Sequence, residues 1–347
     1  MKIIIVYIVI TFFSLFTRGK VFEYLSVVLL SFFFASRSLF VPDAAAYQDF
    51  YLTNISEGSS IEYGYMYLCY IFHSILGVSF RVYLFILSLF LLMCWRFSIN
   101  RLFPKVPFQF FLISFLPFFG FYYYGAVLRA SIAITISMVG MSFLFKDNSS
   151  KRIIIYLLCV LLAMQFHVTA ILFFFVFLAL PEYKNHTLYI LIALSVFFIT
   201  RGNLPLVDAY LAGVVEYFSF DRLSPYFMRY TQVNTSILSI TYIIISFVAV
   251  YYRKHLTFYT IDEKRLFNII LNMHVLATLL NSMVDKVQAA TRLPMQWLFF
   301  EFVVVTLLCL RHPYMKANSS LRNIVFLFYS FVMFFAFIHY FPLFLKY

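Results

Sequence analysis

Charge is scarce in this chain. Asp, Glu, Lys and Arg make up 12% of its 347 residues, where a soluble domain carries roughly 25% to keep its surface wet. Most of the surface must therefore meet something other than water. Nine glycines leave no Gly/Ser linker, and no low-complexity tract or internal repeat divides the sequence. The four cysteines, Cys69, Cys94, Cys159 and Cys309, are far apart and embedded in apolar stretches. That excludes a readable disulfide framework and any metal-ligand spacing, and makes them small packing residues. There is no GxxxxGK followed by Ser or Thr, so ATP-driven transport has no support. GxSxG and HExxH are missing too, which removes the common serine-hydrolase and zinc-protease signatures. No metal and no cofactor is expected.

Hydrophobic residues are abundant, at 64%, with a mean hydropathy of +0.92; 48 Phe and 27 Tyr bring aromatics to 22%. Apolar runs recur at close to the ~20 residues that cross a bilayer. They fall near 3–17, 21–40, 81–95, 106–124, 127–145, 153–166, 168–180, 187–200, 237–252, 266–284, 294–310 and 323–342. The first resembles a signal segment, but Arg18-Gly19-Lys20 follows it instead of a small-residue cleavage site, so it reads as a retained span. The stretch 63–76 is interrupted by Gly64, Tyr67, Tyr70 and His73 and reads as an interfacial or re-entrant helix. The expectation is an all-α, polytopic transmembrane bundle of about twelve spans plus that helix, a single integral membrane domain over 1–347.

Charge placement orients the bundle. If 63–76 does not cross, the loops 17–20, 96–105, 146–152, 182–186, 253–265 and 311–322 share one side and hold 16 of the 26 Lys and Arg. By the positive-inside rule that side is cytoplasmic. The net charge of +12 thus reflects topology, and nucleic-acid binding is disfavoured. The opposite side receives two long loops, 37–62 and 201–236, and most of the acidic residues. Long external loops tend to carry function.

Ionisable residues inside a span cost several kcal/mol unless they face protein, water or a partner. Three stand out: Arg129, His167 between two apolar runs, and Arg292, beside Pro294, where the proline is expected to open a helix end. Arg37, Arg201, Arg222 and Arg229 join from the loops. This face is rich in arginine and nearly free of lysine. A guanidinium fork grips phosphate or carboxylate in two places, as a lysine point charge does not, and no Asp-x-Asp pair offers a metal-held alternative. An arginine-lined site at membrane depth suits a lipid-linked pyrophosphate. Asp43, Glu62, Asp221 and His167 are candidate bases towards a hydroxyl, and Tyr47, Tyr63, Tyr65, Tyr122, Tyr123 and Tyr226 are candidate surfaces for sugar rings. Glu301, inside a late span, is expected to pair with another buried polar group.

Taken in order, these residues resemble the EpsG family of Wzy-type polysaccharide polymerases. The pattern is an arginine and Asp-x-x-x-Tyr after the second span (Arg37, Asp43, Tyr47), then Glu62-Tyr63-Gly64-Tyr65. Next come Leu128-Arg129, then Phe166-His167-Val168-Thr169-Ala170, and late in the chain Arg292. The family's usual Asn and Gln around the central arginine are Ala126 and Ala130 here. The resemblance implies a GT-C-like fold in the bacterial inner membrane. It also implies glycosyl transfer, on the periplasmic side, from undecaprenyl pyrophosphate to the next lipid-linked repeat unit, with a chain-length regulator protein as a partner. It points to catalysis by His167, Asp43 and Arg129 and to substrate binding by Arg37, Tyr47, Glu62 and Arg292; the residue reading adds Arg222 and Arg229 to the substrate-binding set. An O-antigen ligase uses the same donor with another acceptor. A flippase for lipid-linked oligosaccharide would instead place charges deep in several spans, and a structural partner would leave the outer arginines without a task.

Overall fold

A computed structural model describes residues 2–17, 19–38, 41, 43–53, 62–146, 151–179, 186, 189–194, 236–284 and 288–342. Helix is the only regular structure among them. In a chain this apolar, helices satisfy every backbone N–H and C=O internally and so tolerate a solvent that offers no hydrogen bonds. Among the described residues, four helical segments are long and apolar enough to cross a membrane: Phe80–Leu102, Leu128–Lys146, Arg292–Arg311 and Ser319–Tyr340. Some of the other apolar helices stop short of the runs that announce them, as Lys20–Ala35 does within 21–40, and others overrun them, as Ile261–Val284 does beyond 266–284. The described residues form two compact units, Met1–Phe174 with Met315–Tyr347, and Phe175–Tyr314.

The first unit begins with α1 (Lys2–Phe16), α2 (Lys20–Ala35) and α3 (Ala44–Thr53). Next comes α4 (Tyr63–Tyr70), prolonged by a π-helical turn, Ile71–Ile75. These 13 residues rise about 20 Å, short of the ~30 Å hydrocarbon core, as the interrupted 63–76 pattern led us to expect. Gly77, at φ +61°, turns the chain into α5 (Phe80–Leu102); only glycine adopts that backbone without strain. Then follow α6 (Phe108–Phe115), continued by an 11-residue π-helical run, Leu116–Ala126, and α7 (Leu128–Lys146) and α8 (Arg152–Met164). A 3₁₀ helix, Val168–Ala179, comes next.

Aromatic packing and small-residue contacts hold this unit together. Trp95, fully buried, stacks on Phe115 with ring centroids 4.3 Å apart and meets Phe108 edge-on at 4.9 Å. Gly140 of α7 lies so close to α8 that a Cβ there would sit 2.7 Å from that of Cys159, the close approach that small residues allow between apolar helices. Glu23 and Arg96 tie α2 to α5 at 2.6 Å.

The second unit contains α9 (Ser236–Tyr252), α10 (Ile261–Val284), α11 (Gln288–Leu298) and α12 (Glu301–Arg311). The proline expected to open a helix end does not do so. Pro294 lies inside α11, which starts six residues earlier at Gln288, and the break comes after it, at Phe299–Phe300. A proline removes only one backbone donor, which a helix tolerates when its neighbours pack well; here Pro294 and Met295–Phe300 are buried. The late glutamate has the partner expected of it. Glu301 and His274, both fully buried, meet at 3.2 Å, and Ser246 reaches the other ring nitrogen of His274 at 2.9 Å. This chain of polar contacts links α9, α10 and α12.

Candidate functional site

Six of the nine candidate site residues come together in the first unit. Arg37 follows the end of α2 and is 5% exposed. One of its terminal nitrogens donates to the Gly125 carbonyl at 2.9 Å, at the end of the π-helical run. There the bonding shifts, with Val127 N–H reaching back to Tyr122, and π-helical segments of this kind cluster at functional sites.

Asp43 precedes the first turn of α3 with φ +62°. It is one of the few residue types that enters the left-handed region, at an expense of about 1 kcal/mol or more. Its backbone carbonyl accepts from the Tyr47 N–H at 2.9 Å. The exposed Asp43 and the buried Tyr47 thus share one turn. Burial pushes the Tyr47 hydroxyl above its usual pKa; the Arg129 guanidinium, which also donates to it, pulls the other way, and the Asp43 carboxylate adds to the rise. Tyr47 therefore keeps its proton at neutral pH.

Arg129, in the first turn of α7, also forms an ion pair with Glu62, the residue that precedes α4. The second carboxylate oxygen of Glu62 accepts from the Val168 N–H at 3.4 Å. Two residues on, Gly64 N–H donates to the Gln165 carbonyl at 2.8 Å. A Cβ on Gly64 would lie 2.7 Å from that oxygen, so glycine is required here by a close backbone approach and not by φ. The start of α4 is thereby pinned to the turn between α8 and the 3₁₀ helix, and Glu62 bridges that turn to α7.

His167 sits in the same turn, 7% exposed. The Thr169 N–H points at its Nδ1 at 3.3 Å, and the Thr169 hydroxyl lies 2.7 Å from the same atom. A ring nitrogen that accepts from an N–H carries no proton, so neutral His167 holds its proton on Nε2. In this arrangement His167 is a hydrogen-bond donor with its lone pair engaged, while Asp43 is exposed.

Arg292 lies in α11 of the second unit, half-buried. Arg222 and Arg229, with Arg201, Asp221 and Tyr226, are outside the described residues, as is nearly all of the loop 201–236. Among the tyrosines expected to meet sugars, Tyr65 and Tyr123 are fully buried while Tyr63 is exposed. Tyr65 packs edge-on to Tyr47 at 5.6 Å and lies over Phe50 at 5.8 Å, so it supports the cluster from within. Sequence reasoning did not find Thr169 as the partner that fixes the His167 tautomer, although its place two residues on is a known local hydrogen-bonding register. It also did not find Gln165 opposite Gly64, since a backbone contact of this kind leaves no mark on residue type.

Residues 20–347 match the family model described as EpsG family. No curated protein and no solved structure matches the chain.

Proposed function

The chain belongs to the EpsG family, which is associated with polysaccharide polymerase-like proteins, and on that premise we propose that it is a glycan polymerase of the bacterial inner membrane. In this reading it crosses the bilayer about twelve times in a GT-C-like arrangement, with the helix from Tyr63 lying at the interface. It transfers a growing glycan from undecaprenyl pyrophosphate to the next lipid-linked repeat unit on the periplasmic side. The basic loops on one side of the apolar runs support that orientation. The observation that carries the chemistry is the Glu62–Arg129 pair with Tyr47 and Asp43 beside it.

The oxygen of the acceptor's sugar hydroxyl attacks the anomeric carbon of the donor glycan. A carbon–oxygen bond forms there, and the bond from that carbon to the pyrophosphate oxygen breaks, with its electron pair leaving on the pyrophosphate. Arg129 faces that developing charge, where a fixed guanidinium acts most strongly because it needs no reorganisation. Glu62 is a positioning residue that holds the guanidinium in place. Asp43 accepts the proton of the attacking hydroxyl. The Tyr47 hydroxyl and the Nε2–H of neutral His167 donate hydrogen bonds to substrate oxygens. Arg37, Arg292, Arg222 and Arg229 supply further substrate contacts.

Deleting the gene in its native strain and separating the surface and lipid-linked glycans on a gel tests this reading. Single repeat units accumulating outside, with the long ladder gone, is the expected result. Long chains retained on the lipid would identify a ligase, single units trapped inside a flippase, and an unchanged ladder would refute glycan assembly altogether. Complementation with Arg129→Lys should fail nearly as badly as with Arg129→Ala, because both lose the fork. Full activity in the lysine variant would overturn the role of Arg129.

A further inference from the structure

Along Ala44, Gln48 and Leu52 of α3, a cavity of about 780 Å³ opens between α3, the end of α2 and the turn that leads into α5. Its apolar lining includes Leu52 and Leu84; its polar lining includes Arg37, Gln48, His73 and Arg81, and none of the described lining residues is acidic. The side chains of Gln48, His73 and Arg81 make no hydrogen bond or ion pair among the described residues, His73 having only a ring contact with Tyr51 at 5.1 Å. Arg37 is nine-tenths buried at the inner wall, and Arg81 is exposed at the rim. Arg37 and Arg81 thus line one mostly apolar space. A concave apolar site with a few convergent polar groups is what a small-molecule site looks like.

The backbone adds to the positive field. Gly77 to Arg81 line the cavity and lead into the first turn of α5, a helix of 23 residues. Ser79 precedes that turn but makes no capping hydrogen bond, so first-turn N–H groups are left for an anion. The wall is held firmly: the Tyr51 hydroxyl donates to the Val78 carbonyl at 2.7 Å, and its ring stacks on Tyr83 at 4.8 Å. Depth is set by the same helix. Because α5 is long and apolar enough to span a membrane from Phe80, its first turn belongs where hydrocarbon gives way to headgroups. Ile75 and Leu76, just before that turn, are 63% and 58% exposed, an apolar surface suited to a hydrocarbon chain.

From this we propose that the cavity is a second anion subsite, which binds the phosphate of an amphiphile with its hydrocarbon chain lying along Ile75 and Leu76. Its identification with the acceptor, the second lipid-linked pyrophosphate that polymerisation requires, rests on the reading of the protein as a polymerase. Arg37 then stands between two anion sites, on the Gly125 carbonyl at one end and in the cavity wall at the other.

The test uses the full chain in nanodiscs of zwitterionic lipid, with undecaprenyl pyrophosphate as the titrant. The wild type should bind two equivalents and Arg129→Ala one. Adding Arg81→Gln to Arg129→Ala should weaken that remaining binding by roughly ten-fold or more, the usual effect of losing a charge-assisted hydrogen bond. Because Arg81 is exposed, the substitution leaves the fold intact, which a melting curve checks. Binding that is indifferent to Arg81 overturns the subsite, even if the glycan ladder behaves as a polymerase requires. Equal competition by phosphatidylglycerol would make it a site for bulk lipid headgroups, and equal competition by inorganic pyrophosphate a site for a free anion; either overturns the acceptor assignment. An unchanged ladder on gene deletion, with Arg81-dependent binding intact, would refute the polymerase reading and leave the subsite standing.

Discussion

Replacing Gly64 by alanine probes the site through its backbone without removing any functional group. The added Cβ would stand 2.7 Å from the Gln165 carbonyl oxygen, 2.9 Å from its Cβ and 3.0 Å from its carbonyl carbon. Two of these three are backbone atoms, so no side-chain rotation relieves the contact. Reaching an ordinary separation of 3.4 Å requires the start of α4 to move by about 0.7 Å. The Gly64–Gln165 hydrogen bond, now 2.8 Å, would stretch to about 3.5 Å and be lost, at about 1 kcal/mol. Overpacking adds about 1–3 kcal/mol, and the better helix propensity of alanine returns about 0.5–1. A net destabilisation of about 1–3 kcal/mol follows. The larger effect falls on activity, because Glu62 moves with the helix start and its 3.4 Å contact to Val168 has no slack. A misplacement approaching 1 Å in a positioning group is worth up to about 100-fold in rate. The assay is the glycan ladder of the deletion strain complemented with the variant, beside a melting curve in detergent. A variant that melts like the wild type and restores the full ladder would refute the close approach and the bracing of Arg129 through it.

Further outcomes follow from other parts of the fold. Asp43→Asn should keep the turn and the melting temperature but lower polymerisation by roughly 100-fold or more. Asp43→Gly should be equally inactive yet more stable by about 1 kcal/mol, because it relieves the backbone at φ +62°; an active Asp43→Asn would remove Asp43 as the proton acceptor. In the second unit, Glu301→Ala should lower stability by about 2–4 kcal/mol by leaving buried His274 without its partner, and Glu301→Gln by much less. Equal melting temperatures for the two would show that the contact contributes nothing. Burial raises the Cys69 thiol from 9.0 to about 11. The unfolded chain then loses this proton first as pH rises, so the stabilisation is complete below pH 9 and disappears by about pH 11. Melting temperatures should fall across that window, and less steeply in Cys69→Ala; an identical slope would mean the thiol is not buried in the folded protein.

The sequence made the helices legible because hydrophobic run length is a property of consecutive residues. The break between 106–124 and 127–145 appears in the structure at Val127, and the interrupted stretch 63–76 is indeed a short helix. What it did not reveal is the length of the helices inside those runs. The helix in the run 21–40 ends early, at Ala35, whereas the helix in the run 266–284 starts early, at Ile261. The cluster was legible as far as residue type betrays function. Residue type alone singles out Arg37, Asp43, Tyr47, Glu62, Arg129 and His167. Their relations were not readable. Nothing in a residue series says that Glu62 faces Arg129 across 67 positions, or that Thr169 holds the lone pair of His167. The cavity beside α3 was invisible for the same reason, since Gln48, His73 and Arg81 each look like ordinary interfacial residues until they surround one space.

The π-helical run from Leu116 to Ala126 has a consequence for how the chain tolerates changes in length. An α-helix that widens in this way is holding more residues per turn than its neighbours, and each residue of an ordinary helix advances the chain by about 100° of rotation. A one-residue deletion within the run would let it tighten towards the α form. It would also swing the Gly125 carbonyl away from Arg37, which now reaches it at 2.9 Å. Elsewhere in an α-helix, such a deletion turns one end by about 100° relative to the other. Here it would release a buried guanidinium from its anchor, so this stretch fixes its own residue count.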